Sequence, residues 1–396
     1  MRTIIKDFLN QYDLDVRKTG DARFCDQKCT PDVICFISDC IMNTVHQGEQ
    51  FDVNTIWESR YFIKNTRAIF NKPWADNESA HSEYDKFIAQ PLRLLAYAHV
   101  LELNHIRGRN IYTINNIEIL EYISQKERYT YEFLCCYFEK VLKDSDQWKY
   151  FEEYKRNPNK DSYMELRDRF IRFMTGHTRI NGAVEVRRIF PKILNVLAVD
   201  YQIQGSERGS ISKYVFTFSE LMYNRKNWRD IDKEKTITRQ EAEREDDESR
   251  LQREAYNSYY VQKAISLIRK IHSESEVHDQ WGYGDATQVH HIFPKAMYPE
   301  IAHYLENLIL LTATQHYTKA HPNNRTQAVN KDYQLTCLLS KADTIEKSLR
   351  RFGERYYRKE SFLYVIKVGL SQEQEWSTSL SFEDIKSKLI RIYNAA

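Results

Sequence analysis

The stretch from residue 289 to residue 321, VHHIFPKAMYPEIAHYLENLILLTATQHYTKAH, decides how the rest of the chain is read. Five of the twelve histidines fall inside it: His290, His291, His303, His316 and His321. QVHHIF (288–293) is a β-prone run closed by Pro294, and NLILLT (307–312) is a second one. TATQHYTKAH (312–321) has a helical pattern, with Thr312 or Thr314 as N-cap and Pro322 as the stop. The order is therefore strand, loop, strand, helix. The histidine pair closes the first strand, Asn307 stands before the second, and His316 follows nine residues later, near the helix start. Adjacent residues on a strand face opposite sides, so His290 and His291 serve different surroundings. His303 lies in the connecting loop and receives no role.

This constellation suits phosphodiester hydrolysis, which needs an activated water, charge neutralisation at phosphorus and a stabilised leaving oxygen. An imidazole with a pKa near 6.5 is a suitable base at neutral pH. In order, spacing and elements, the stretch resembles the HNH nucleases, whose shared site is the ββα-metal fold. The resemblance covers about 35 residues, under a tenth of the chain. It implies that His291 is the general base, that His290 and His316 ligate a metal, and that Asn307 braces the loop and so orients the base. It also implies a third ligand about four residues beyond His316, where this chain has Ala320. His321 is the nearest histidine, although five residues along an α-helix lie about 140° off the first face. Asn323 and Asn324 are the substitutes. The paired CxxC motifs that many relatives carry around this fold do not occur here. One divalent cation per site is implied, with Mg2+ as the default and Mn2+, Ni2+ or Zn2+ also suited to a histidine-rich shell. The products would carry 5′-phosphate and 3′-hydroxyl ends.

Working outward, the first 125 residues have helical patterns near 31–42, 54–69 and 82–99, with Pro91 expected to start a fresh helix. VLEL and NIYTI then flank His105-Ile106-Arg107-Gly108-Arg109, which reads as a β-hairpin with a basic tip. Helices followed by such a hairpin suggest a winged helix-turn-helix, in which Arg107 and Arg109 would touch DNA phosphates. Packing alone explains a helix and hairpin equally well. Residues 126–230 mix helix and strand, with a second hairpin expected at the Gly205–Gly209 turn. Arg187, Arg188, Lys192, Arg225, Lys226 and Arg229 make this region locally basic, for phosphate contact or simply as a solvated face. Residues 231–275 form a charged helical linker, 276–345 the nuclease domain and 346–396 C-terminal helices. The expected class is α+β, mainly helical, with an N-terminal winged-helix-like DNA-recognition region and a C-terminal ββα-metal domain.

The bulk numbers set limits. The 396 residues carry 58 basic and 56 acidic side chains, so DNA affinity has to come from local patches. No apolar run is long enough to span a membrane, and the N-terminus lacks a secretory pattern, so a cytoplasmic protein is expected. Seven cysteines without an export signal read as reduced thiols. Cys25, Cys29, Cys35 and Cys40 raise the question of zinc, but their x3, x5 and x4 gaps favour buried helix positions. Neither a P-loop nor a G-x-S-x-G elbow is present. The expected function is a restriction-type endonuclease acting on double-stranded DNA as a homodimer. The rival readings are a modification-dependent or partner-activated anti-phage nuclease, and a non-catalytic DNA-binding regulator with a decayed HNH domain.

Overall fold

The computed structural model describes residues 1–70, 81–223, 239–320, 330–371 and 376–395. The chain divides into two compact units, Arg2–Arg244 and Glu245–Ala396. Five segments were expected from the sequence. The contacts gather the first two into one unit, and most of the charged segment, the histidine-rich stretch and the C-terminal helices into the other.

The first unit is built of helices α1 (Arg2–Leu9), α2 (Val16–Thr19), α3 (Pro31–Thr44), α4 (Val53–Trp57), α5 (Arg60–Phe70) and α6 (His81–Tyr97), strands β1 (Leu101–Ile106) and β2 (Arg109–Ile114), helices α7 (Ile117–Gln125), α8 (Glu127–Asp144), α9 (Trp148–Arg156), α10 (Lys160–His177) and α11 (Ala183–Tyr201), and the short strands β3 (Ser206–Glu207) and β4 (Ser210–Ile211). Helix α3 is its centre: Pro31 through Ile41 are all buried, as befits a helix apolar on nearly every side. Cys35 and Cys40 lie in this helix, Cys25 and Cys29 precede it, and all seven cysteines are buried and outside any disulfide. The single helix expected over 54–69 is broken between α4 and α5. Asp52 caps α4, and the Ser59 hydroxyl accepts from Phe62 N at 3.1 Å to start α5. Pro91 does not start a helix but lies inside α6, which continues through it.

Strands β1 and β2 form the expected hairpin, in antiparallel register from Leu101↔Ile114 to Ile106↔Arg109. Its two turn residues, Arg107 (φ 51°) and Gly108 (φ 79°), both have positive φ, the twist that two-residue hairpins require. Phe51 bridges Tyr112 on the far side of β2 through two backbone hydrogen bonds of 2.8 and 3.0 Å. Strands β3 and β4 form the second expected hairpin, turning through Arg208 and Gly209.

The second unit comprises α12 (Arg239–Ile271) from Glu245 onward, β5 (Ala286–His291), β6 (Leu308–Thr312), a π-helical turn (Gln315–Ala320), α13 (Lys331–Phe352), α14 (Lys359–Leu370) and α15 (Phe382–Ala395). Every residue of β6 is buried. Its leucines and Ile309 join Ile268 of α12, Cys337 and Leu338 of α13, Phe362 of α14 and Leu389 of α15 in one core. An apolar run of four residues, closed by Thr312, thus makes a strand covered on both faces. Phe293, just after β5, lies flat on α14 at Gly369, where an added Cβ would meet three ring carbons at 2.4 Å. A buried polar cluster pins the other side of β6. Glu276 accepts from Leu310 N at 2.9 Å and from Lys341 Nζ at 2.7 Å, and Lys341 also donates to Tyr357 Oη at 3.2 Å. Burial pushes the Lys341 pKa down against the pull of Glu276. The molecule is mainly helical with a few short strands, as expected of its class. None of the described helices is long and apolar enough to cross a membrane.

Candidate active site

Strands β5 and β6 pair antiparallel with His290↔Ile309 and His291↔Leu308 in register, so both histidines stand at the end of the hairpin where Asn307 enters β6. His290 is buried at 2% exposure, and its ring meets that of His316 edge-on, centroids 5.4 Å apart at 77°. Two imidazoles bound to one ion at metal–nitrogen distances of about 2.1 Å hold their ring centres roughly 5 Å apart. The His290–His316 pair has the separation and the donor chemistry that a shared divalent cation needs. Among the described residues no group of three or more His, Cys, Asp or Glu side chains gathers around a common point. His321, Asn323 and Asn324 lie outside the described residues.

His291 faces the other way. Its Nε2 lies 3.0 Å from the carbonyl oxygen of Ala302. A carbonyl only accepts, so the ring hydrogen resides on Nε2 and the lone pair on Nδ1. Burial lowers the His291 pKa below 6.5, Lys295 adds a smaller push in the same direction, and the Ala302 hydrogen bond opposes both. The ring is therefore neutral at pH 7, with one nitrogen oriented by the backbone and the other free of its proton.

Asn307 explains why Ala302 is where it is. The side chain is fully buried. Its Oδ1 accepts from Phe293 N at 2.8 Å, and its Nδ2 donates to the carbonyls of Phe293 (3.0 Å) and Ile301 (3.3 Å). Its own carbonyl accepts from Ile292 N at 2.9 Å. One amide thus ties the first residues of the 292–306 loop to Ile301, the residue before the one that holds His291. Asparagine is suited to this because it offers an acceptor and two donors on one rigid plane. Gln334 of α13 donates to the Ile292 carbonyl at 2.7 Å and anchors the loop from outside.

His316 is placed by its neighbour. Gln315 is fully buried, and its Oε1 accepts from Ser275 Oγ (2.6 Å) and Thr312 N (3.0 Å). Its Nε2 donates to Val277 O (2.8 Å) and Asp279 Oδ1 (2.9 Å). Thr312 caps the turn, accepting from Gln315 N at 3.2 Å, as one of the two expected N-caps. The winding differs from the α-helix read in the sequence: residues 315–320 form a π-turn, with bonds of the i→i+5 kind.

His290, His291, Asn307 and His316 therefore all lie in the second unit, His290 against His316 and His291 held through Ala302 by the loop that Asn307 braces. The arginines singled out for DNA lie in the first. Arg107 and Arg109 are exposed at the β1–β2 tip, and Arg187 and Arg188 are exposed on α11. Arg225, Lys226 and Arg229 fall outside the described residues. The sequence reading missed three residues of α5, Arg60, Lys64 and Arg67, all exposed. Their i, i+4, i+7 spacing puts them within about 60° of one another on the helix, and that spacing is the signal that could have found them. It also missed Gln315 and Gln334, single buried amides with no motif to mark them. Compared with protein-family models, with curated proteins and with solved structures, the chain gives no match.

Proposed function

We propose that this chain is a metal-dependent endonuclease of the HNH kind, which hydrolyses phosphodiester bonds in DNA to 5′-phosphate and 3′-hydroxyl ends. The observation that carries the reading is the path from Asn307 through Ile301 and Ala302 to His291. That path leaves the His291 ring with one nitrogen anchored, and the strand residue before it, His290, stands at ligand spacing from His316. His291 Nδ1 takes the proton of the attacking water. Ala302 holds the ring by its other nitrogen, and Asn307 holds the loop that carries Ala302. His290 and His316 hold the divalent cation, with Mg2+ as the default and Mn2+, Ni2+ or Zn2+ as further candidates. When bound, that ion supplies charge neutralisation at the phosphate and stabilisation of the leaving 3′ oxygen. His321 is the proposed third ligand.

The first unit is proposed to bind the duplex. Helix α3, the Phe51 bridge, α4–α5, α6 and the β1–β2 hairpin follow one another in the order of a winged helix. Helix α6 is mostly buried, whereas α5 shows Arg60, Lys64 and Arg67, so α5 is the better candidate to face DNA. The tip arginines Arg107 and Arg109, with Arg187 and Arg188 of α11, add phosphate contacts. One site of this kind cuts one strand, so double-strand cutting at a palindrome would take a homodimer. The reading is tested by incubating supercoiled plasmid DNA with Mg2+ or Mn2+, with and without EDTA. Discrete EDTA-sensitive fragments whose 5′ ends accept label only after phosphatase treatment are expected. An intact plasmid under all conditions, whether methylated or not, would sink it.

A further inference from the structure

The segment between α12 and β5 first runs along β6 and then turns outward. Ser275, Glu276 and Val277 are buried, whereas residues 280–285, QWGYGD, are exposed. The outward loop is nevertheless tightly held. Asp279 accepts from Gln315 Nε2 and from Trp281 N, each at 2.9 Å, and from Tyr333 Oη at 3.0 Å. The Trp281 carbonyl accepts from Thr312 Oγ1 at 3.2 Å. At its end stand two aromatic rings in water: Trp281 at 37% and Tyr283 at 76% exposure. Lys319 Nζ lies 4.2 Å from the centre of the Trp281 ring. Tyr317, also exposed, packs edge-on against the His316 ring with centroids 4.8 Å apart. Leaving aromatic rings in water forgoes the burial that normally accounts for such residues, and here the loop is fastened through Gln315 to the same turn that carries His316.

Resting on the nuclease reading above, we propose that Trp281 and Tyr283 form a base-stacking platform for the strand being cut, with Lys319 beside it to meet a phosphate. The ligand is an unstacked base of single-stranded or locally opened DNA. Three features favour nucleic acid as the occupant. Aromatic rings interleaved with a cation are how proteins grip single strands without reading sequence. The platform loop is tied by Gln315 and Thr312 to the turn that carries His316, one of the residues proposed to hold the metal. Lys319 follows His316 by three residues in the same π-turn, so the cation over the Trp281 ring is carried by the turn that carries that proposed ligand.

The test uses the full chain carrying His291→Ala, without added metal, so that binding is read apart from cleavage. A fluorescent 12-mer of deoxythymidine is titrated beside a 12-mer of abasic residues, with and without Tyr283→Ala. Tyr283 is largely in water, so its replacement leaves the fold intact. A stacked base is worth about 1–3 kcal/mol, so roughly 5- to 150-fold weaker binding of the thymidine strand is expected, with the abasic strand unaffected. A companion strand carrying 5-iododeoxyuridine is photocrosslinked to the same protein. Crosslinks are expected on Trp281 or Tyr283. Equal loss on both strands, no loss on either, or crosslinks confined to other peptides would overturn the platform. If binding depends on bases as expected but wild type cuts no DNA, the platform survives and the nuclease reading falls. EDTA-sensitive cutting without base-dependent binding has the opposite meaning.

Discussion

Replacing Asn307 with alanine removes the amide that ties the two ends of the 292–306 loop. Three hydrogen bonds disappear: one accepted from Phe293 N and two donated, to the carbonyls of Phe293 and Ile301. The site is fully buried, so water cannot take the place of the side chain without opening the loop. A buried N–H left unmet costs roughly 1–3 kcal/mol, and carbonyls, with a second lone pair, somewhat less. The total is about 2–4 kcal/mol. In a unit of about 150 residues each kcal/mol moves the melting temperature by about 2–4 °C, so a fall of roughly 5–15 °C is expected. Calorimetry of the full chain measures the size, and hydrogen exchange locates the effect, which is expected at residues 292–306 and at Ala302 in particular. Because Ala302 holds the His291 ring, cleavage is expected to fall with the base itself unaltered. A shift under about 1 °C with unchanged exchange in that loop would refute the bracing role.

Three further outcomes are expected. Lys341→Met leaves Glu276 buried without its ion-pair partner and should cost about 3–5 kcal/mol, while adding Glu276→Gln should restore most of the loss in a denaturant titration. A single variant as stable as wild type would contradict the pairing. Saturating Mn2+ at about 100 times its Kd should stabilise wild type by about 2.7 kcal/mol, and His290→Ala or His316→Ala should abolish the gain in thermal unfolding. Equal stabilisation of all three proteins would remove these histidines from the metal site. Reversing Arg60, Lys64 and Arg67 to glutamate should weaken duplex binding across sequences and reduce the slope of log affinity against log salt by about 3 or more, measured by anisotropy. An unchanged slope would take α5 off the DNA.

The histidine-rich stretch was legible because its signals are local. Strand runs, a proline stop and a threonine cap act within a few residues, and they place His290, His291, Asn307 and His316 before any tertiary contact is known. The β1–β2 hairpin was legible for the same reason, since Arg107 and Gly108 need positive φ and the flanks alternate. What could not be read depends on partners distant in sequence. Gln315 works through Ser275, Val277 and Asp279, some 36–40 residues away. The π-turn starts at that anchored glutamine, and helical periodicity alone gives no hint of it. Pro91 was misread because proline suits a first turn by propensity, whereas packing of α6 on both sides carries the helix through it. Lys341 and Glu276, 65 residues apart, look like surface charges in the sequence and become a buried pair only in the fold.

The most direct measurement is single-turnover cleavage of one DNA substrate by wild type and by His291→Ala, at the same metal concentration, with folding and DNA binding checked in parallel. A rate lower by about 10²–10⁴-fold, with binding and thermal stability retained, is expected of a lost general base. Cleavage by His291→Ala at the wild-type rate would contradict the role of His291, and with it the nuclease site built around it.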